Sequence, residues 1–259
     1  MTHTSPAAAT KQRYRDAANR FVTVANTRFA YRELGSPGGV PLVLLNHWGA
    51  VLDNFDPRIV DGLATSHHII ALDYKGIGLS GGIAPVTIDE MARDMMAVIR
   101  KLGFETIDLM GFSLGGFVAQ DIALKAPALV RKLILTGTGP AGGDGIAKVG
   151  AVSWPLILKG MLTLRDPKTY LFFTSSANGR RAAKRFLARL KERSNAATKA
   201  LRHAPSCASW MRSKSGAVRR RRIWVVFAFL SLSPMETMTS WCRHPTAMTW
   251  PAASRMRSW

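Results

Sequence analysis

A chain of 259 residues can bury one sizeable core, and its two cysteines exclude a disulfide framework. The net charge of +20 suggests a polyanionic partner, but it is unevenly distributed. Residues 1–193 carry 25 Lys/Arg and 15 Asp/Glu, whereas the last 66 residues carry 11 Lys/Arg and one acid, so we predict no nucleic-acid partner.

The first 20 residues read as a polar N-terminal arm. Their charges are scattered, and they lack the apolar core of a secretory signal. The longest apolar run of the chain, residues 223–232, is half of the roughly 20 residues that span a bilayer. We therefore predict a cytoplasmic protein without a membrane partner, and the sequence leaves the oligomeric state open.

Short apolar segments follow the arm. Residues 21–24 and 29–32 alternate as a hairpin turned at Asn26-Thr27. Four nearly continuous apolar runs then occur, at 42–45, 68–72, 106–110 and 132–136. Runs of this kind, separated by helical patterns, are typical of a parallel sheet that is covered on both faces. The predicted fold class is α/β.

Helical signals lie between and after these runs. Thr87 and Glu90 have capping-box spacing before an apolar periodicity that ends at Gly103. A second helix is predicted over 117–125, followed by a glycine-rich loop at 137–145 and a mainly helical stretch over 154–199. In that stretch, the basic amphipathic helix at 179–193 is interpreted as solvated surface.

Ser113 is the candidate nucleophile. It lies in Gly-Phe-Ser-Leu-Gly-Gly, directly after the run at 106–110 and directly before a helical pattern. A serine on so sharp a strand-to-helix turn needs a strained backbone and small residues two positions to either side, which Gly111 and Gly115 provide. The pattern predicts a nucleophile elbow whose hydroxyl stands at the N-terminus of a helix.

An oxyanion formed at Ser113 needs two hydrogen-bond donors. The backbone N–H of Leu114, the following residue, is one. The loop that follows the run at 42–45 is placed to give the second, and the backbone N–H of Trp48 is our candidate. His47 in the same loop is interpreted as structural rather than as the catalytic base.

Gly76, Gly78 and Gly81 form a literal G-x-G-x-x-G, the pattern of dinucleotide-binding sites. That fingerprint requires a helix to begin at the glycines and an acid about 20 residues later. Here the next helix begins near Thr87, and the position of the acid falls near Arg100. We therefore predict no nucleotide cofactor, and the sequence indicates no metal site.

Taken together, the motifs resemble the α/β-hydrolase superfamily, in its esterase and cofactor-free haloperoxidase-like branch. The resemblance rests on Asn-His-Trp-Gly at 46–49, Asp-Tyr-Lys-Gly-Ile-Gly-Leu-Ser at 73–80, the elbow around Ser113, and the run at 132–136 with its Gly-Thr-Gly-Pro ending. It implies a hydrolase core over 21–145, a helical cap over 146–200, and a small-molecule ester or acyl substrate. Many relatives carry His-Gly where this chain has Asn46-His47.

The same resemblance implies an acid in a Gly-x-x-Asp-like turn and a histidine near the C-terminus. After Glu192 the sequence contains no Asp, and His203 and His244 stand in no strand-turn pattern. A serine without a base is a weak nucleophile, so we expect the chain to be nearly inactive. Two alternative functions are a non-catalytic pseudoenzyme that retains the pocket and a basic nucleic-acid-binding protein. For an active hydrolase, the sequence leaves both esterase and perhydrolase chemistry open.

Residues 201–259 read as an out-of-frame translation. A frame shifted by one base joins the third base of each codon to the first two bases of the next codon. From Pro234 to Trp241 this permits Asn-Gly-Asp-His-Asp-Val-Met, in which the Gly and the second Asp are forced. That is the acid turn that the resemblance implies. We predict a frame change near 200–202, a poorly ordered tail, and a sheet that is incomplete at its C-terminal end.

Overall fold

The computed structural model describes residues 12–140, 143 and 148–193. The predicted out-of-frame tail and the first eleven residues lie outside the described residues. The strands are β1 (Arg20–Val24), β2 (Thr27–Leu34), β3 (Leu42–Leu45), β4 (Ile69–Leu72), β5 (Ile107–Phe112) and β6 (Val130–Thr136). The helices are α1 (Pro57–Leu63), α2 (Ile88–Lys101), α3 (Leu114–Lys125), α4 (Val149–Leu162), α5 (Lys168–Leu171) and α6 (Ala177–Leu190).

The six strands form one mixed sheet in the order β1-β2-β4-β3-β5-β6. Strands β1 and β2 form an antiparallel hairpin, and β2 pairs antiparallel with β4. Strands β4, β3, β5 and β6 are parallel to one another. This arrangement confirms the predicted α/β fold class with a mostly parallel sheet. Within the described part of the chain, β6 forms one edge of the sheet, and no strand lies beyond it.

The core occupies both faces of the sheet. Alternate side chains of β3 point to opposite faces, so Val43 and Leu45 pack with α2 and α3, while Leu42 and Leu44 pack with α1. Both central strands β3 and β4 are buried along their whole length. This burial on two faces explains why their sequences are continuously apolar instead of alternating.

Most boundaries fall near their predicted positions. The Thr87 hydroxyl accepts the Glu90 N–H at 3.1 Å and caps α2 as predicted. The hairpin turn differs, since Ala25 and Asn26 have the positive φ angles instead of Asn26 and Thr27. Helix α3 begins at Leu114, three residues earlier than predicted, because the chain turns at Ser113 alone.

The segment at 12–19, which we predicted as part of a polar arm, contributes to the core. Tyr14 is buried, and its hydroxyl donates to the Leu52 carbonyl at 2.9 Å. Arg193, just after α6, donates to the carbonyl of Ala17 at 2.7 Å, and Arg189 pairs with Asp56 at the start of α1. Helix α6 is thus anchored beside α1 and the N-terminal segment.

No helix within the described ranges is long and apolar enough to cross a membrane. The domain boundaries that the sequence suggested, with a core over 21–145 and a cap over 146–200, stay a prediction.

Candidate active site

Ser113 connects β5 to α3 with a strained backbone. Its φ of 54° and ψ of −112° lie outside the regions that non-glycine residues ordinarily occupy. Its N–H donates to the Thr136 carbonyl of β6 at 2.9 Å, and its carbonyl accepts the Gly116 N–H at 2.9 Å. These two bonds fix the turn between the last residue of a strand and the first turn of a helix.

Three glycines make this turn possible. A Cβ at Gly111 would lie 2.3 Å from the Gly115 carbonyl oxygen, and a Cβ at Gly115 would lie 2.3 Å from the Leu45 carbonyl oxygen. A Cβ at Gly116 would lie 2.4 Å from the Thr138 methyl carbon. The sequence pattern pointed to the first two glycines and missed Gly116, whose neighbour belongs to the loop after β6.

The close approach of Gly115 to β3 places the elbow beside the loop at 46–50. The Gly115 Cβ position is also within 2.8 Å of the Asn46 carbonyl oxygen. Leu114 is the first residue of α3, where N–H groups have no acceptor within the helix. The structure thus brings Ser113 and Leu114 next to the loop that carries Trp48.

The Asn46 side chain holds the two ends of this loop together. Its Oδ1 accepts the His47 N–H at 2.8 Å, and its Nδ2 donates to the Val51 carbonyl at 3.3 Å. The Tyr74 hydroxyl donates to the Asn46 carbonyl at 3.3 Å. An amide can donate and accept at once, so the single Asn46 side chain closes the loop.

The Asp73 carboxylate binds the backbone just after this loop. It directly follows β4 and is buried, and its two carboxylate oxygens accept the N–H groups of Leu52 at 2.9 Å and Leu79 at 3.2 Å. Burial raises the pKa of Asp73 to about 7, although both hydrogen bonds oppose that rise. Sequence reasoning included Asp73 in a family motif and assigned it no role.

The literal G-x-G-x-x-G forms a self-packed loop. A Cβ at Gly78 would lie 2.2 Å from the Asp73 carboxylate, and a Cβ at Gly76 would lie 2.3 Å from the Ala84 nitrogen. Both residues have positive φ. These glycines are therefore accounted for by the packing of the loop on itself, and α2 begins only at Ile88.

His47 packs among aromatic rings next to the elbow. Its ring centroid lies 5.4 Å from that of Phe112 and 5.6 Å from that of Phe172, both with edge-to-face geometry. Its Nδ1 lies 2.8 Å from the Trp48 carbonyl oxygen, and Nδ1 therefore carries the proton and donates. Burial lowers the pKa of His47 to about 4, which keeps the ring neutral near pH 7.

The other described histidines lie elsewhere. His67 and His68 precede β4 and so stand at the opposite end of the sheet from Ser113. His68 contacts the Glu33 carboxylate at 2.7 Å, and His67 contacts Ser66 at 2.9 Å. Within the described ranges, no group of three His, Cys, Asp or Glu side chains is arranged to hold a metal ion.

The sequence profile of the alpha/beta hydrolase fold family matches residues 40–212. The chain belongs to the α/β-hydrolase fold family. The match includes every element from β3 to α6 and extends about ten residues past the predicted frame change. The solved α/β-hydrolase fold protein from Chitinophaga pinensis is 33% identical with a TM-score of 0.68, over 77% of this chain and 70% of that one.

Two curated relatives of this α/β-hydrolase match a shorter stretch. A protein of Rhizobium rhizogenes named as a carbamate hydrolase, RutD, is 36% identical over 109 residues, 41% of each chain. The pimeloyl-[acyl-carrier protein] methyl ester esterase of Pectobacterium atrosepticum is 34% identical over 110 residues, 42% of this chain and 41% of that one. The chain thus matches about two-fifths of the length of these relatives.

Proposed function

We propose that this α/β-hydrolase is built to cleave a small-molecule carboxylic ester or related acyl compound through an acyl-enzyme on Ser113. The observation that carries the proposal is the strained φ of Ser113 on a glycine-framed turn beside the loop at 46–50. Strain of this kind costs about 1–3 kcal/mol and persists at functional sites. The names of the two curated relatives, a carbamate hydrolase and a methyl ester esterase, support acyl chemistry.

In the proposed reaction, Ser113 Oγ forms a bond to the acyl carbon, and the alkoxide leaves with a proton. Water then attacks the acyl carbon, and the acid is released as Ser113 regains its proton. The backbone N–H groups of Leu114 and Trp48 are assigned to the oxyanion, with the N-terminus of α3 adding a favourable field. One such donor contributes about 100- to 1,000-fold to turnover.

We further propose that the encoded chain turns over slowly because it lacks the proton acceptor. Among the described residues, His47 is the histidine beside the elbow, and its neutral ring has a pKa of about 4, too low for an effective base near pH 7. Loss of the partners of a serine nucleophile typically costs about four to six orders of magnitude in turnover.

A second candidate function follows from the same observation. A chain that keeps the elbow and its loop, yet holds a histidine of low pKa there, can bind an acyl compound without cleaving it. This pseudoenzyme would retain the pocket and lose the chemistry.

A fluorophosphonate probe tests the nucleophile. We expect slow labelling of the full chain at Ser113, located by peptide mass spectrometry and abolished by Ser113→Ala. Ser66→Ala, a change at an exposed serine on the opposite end of the sheet, should leave labelling unchanged. If the unsubstituted chain is not labelled, or if Ser113→Ala is labelled equally, the acyl-enzyme proposal is wrong and the binding function is favoured.

A second experiment tests the reading frame. We propose a lost base, or two gained bases, near codons 200–202, which resequencing of codons 195–205 would detect. Restoring the frame should raise hydrolysis of a p-nitrophenyl ester by about four orders of magnitude or more. An intact frame in the resequenced gene would refute this proposal and leave the assignment of Ser113 untouched.

A further inference from the structure

Five aromatic side chains, His47, Trp48, Phe112, Trp154 and Phe172, gather beside the elbow, and we call them the aromatic wall. The rings of His47, Phe112 and Phe172 are mutually in contact, with centroids 5.4 to 6.0 Å apart. Trp48 meets Trp154 of α4 edge to face at 6.4 Å. The wall therefore draws on the loop after β3, the end of β5, helix α4 and the residue after α5.

Two members of the wall are adjacent in sequence to, or identical with, residues that the proposed reaction uses. Phe112 immediately precedes Ser113, and Trp48 carries the N–H assigned to the oxyanion. The His47 ring is neutral at pH 7, and the other four members are uncharged. A group attached to the acyl carbon would thus meet ring surface, and Lys168 and Asp166 are charged side chains close enough to shift the pKa of His47.

Helix α4 extends this apolar surface outward from Trp154. Its side chains are apolar around most of its circumference, a composition typical of a buried helix, yet only Gly160 is buried. Leu158, Met161 and Leu162 are 53%, 63% and 76% exposed. From 148 to 165 the sequence contains Lys148, Lys159 and Arg165 and no acid. A large exposed apolar surface typically marks an interaction site or a ligand-binding site.

We propose that the substrates are acyl compounds with a long, uncharged apolar chain, which lies along the aromatic wall and continues onto α4. This inference rests on the proposed function, since it names the substrate class of the same site. A short acyl group would leave this surface in water.

The first test measures reversible binding to the full chain. Calorimetric titration with 2-undecanone and with 2-butanone, two uncharged ketones that cannot be hydrolysed, should show at least tenfold tighter binding of the longer one. Trp154→Gln should weaken 2-undecanone binding about tenfold, because it removes ring surface at a 61% exposed position without disturbing the core. Ile83→Gln, at an 87% exposed position in the loop before α2, should change nothing.

Equal affinity for the two ketones, or an unchanged affinity in Trp154→Gln, would overturn the inference. Phe172→Ala adds a second measurement, since it removes the ring that faces His47 and Phe112. Its folding is checked by circular dichroism, and a folded Phe172→Ala with full 2-undecanone affinity also counts against the wall.

The second test separates this inference from the proposed function. Octyl and methyl fluorophosphonates should both label Ser113, the octyl compound at least tenfold faster. Labelling at equal rates supports the nucleophile and overturns the chain preference. Chain-length-dependent ketone binding without labelling overturns the proposed function and supports the aromatic wall as a binding surface.

Discussion

Gly115 offers the sharpest mutational test of the elbow, because its neighbours are backbone atoms that cannot rotate away. A methyl group there would lie 2.3 Å from the Leu45 carbonyl oxygen, 2.6 Å from the Leu45 carbonyl carbon and 2.8 Å from the Asn46 carbonyl oxygen. Contacts to Cβ at ordinary van der Waals separation are 3.4 Å or longer. Gly115→Ala therefore requires α3 and the end of β3 to separate by about 1 Å.

The expected cost follows from two opposing effects. Overpacking in a core typically costs about 1–3 kcal/mol, and a rigid backbone contact belongs at the upper end. Alanine in a helix regains about 1 kcal/mol relative to glycine. Gly115→Ala should therefore lower the free energy of unfolding by about 2 kcal/mol. Gly62→Ala is the matched control, since Gly62 is also helical and has nothing within 4 Å of its Cβ position.

The assay is urea unfolding of the full chain, followed by circular dichroism at 222 nm. We expect Gly62→Ala to stabilise the protein by about 0.5–1 kcal/mol, so the two variants should differ by about 3 kcal/mol. Fluorophosphonate labelling of Ser113 should also slow in Gly115→Ala and stay unchanged in Gly62→Ala. If both variants are stabilised equally, α3 does not press against β3 as described, and the geometry of the elbow is wrong.

Three further predictions concern the surroundings of the site. Because folding raises the pKa of Asp73 from an ordinary value near 3.8 to about 7, the folded state binds the extra proton between these values, and stability should fall as pH rises from about 4 to 7. That fall, about 4 kcal/mol at most, should disappear in Asp73→Asn when unfolding is measured at each pH. Thr87→Ala removes the N-cap of α2 and should cost about 1 kcal/mol in urea unfolding; a loss under about 0.3 kcal/mol would contradict the cap. Arg189→Met leaves the buried Asp56 carboxylate without its paired guanidinium and should cost about 2 kcal/mol in the same assay, whereas no loss would show that α6 is not anchored to α1.

The strands and the elbow were predictable because their signals are local. Burial on both faces makes β3 and β4 continuously apolar, and this is visible in four residues each. Gly111 is dictated by a contact within the six-residue turn, whereas Gly115 meets β3 and Gly116 meets Thr138 after β6. The capping of α2 likewise depends on Thr87 and Glu90 alone.

The rest depends on which distant segments meet, and no local pattern reports that. The sequence around Tyr14 predicts a polar arm, yet this residue is buried because Leu52 accepts its hydroxyl and Arg32 lies over its ring. The helices after β6 were predicted as helices, but their sequence does not reveal that Trp154 meets Trp48 or that Phe172 meets His47. The apolar composition of α4 would ordinarily predict burial, whereas the structure leaves most of its side chains exposed.

These contacts also bear on the proposal that the chain keeps a nucleophile and lacks its base. Asn46, Asp73 and Tyr74 fix the loop beside the elbow through bonds to neighbouring described residues, and Ser113 itself is held by Thr136 and Gly116. Every one of these partners precedes residue 141. Among the described residues, the contacts that hold Ser113 thus all come from before the predicted frame change, whereas we propose that the proton acceptor would be encoded after it. Labelling of Ser113 and turnover of an ester thus report on two separable parts of the chain.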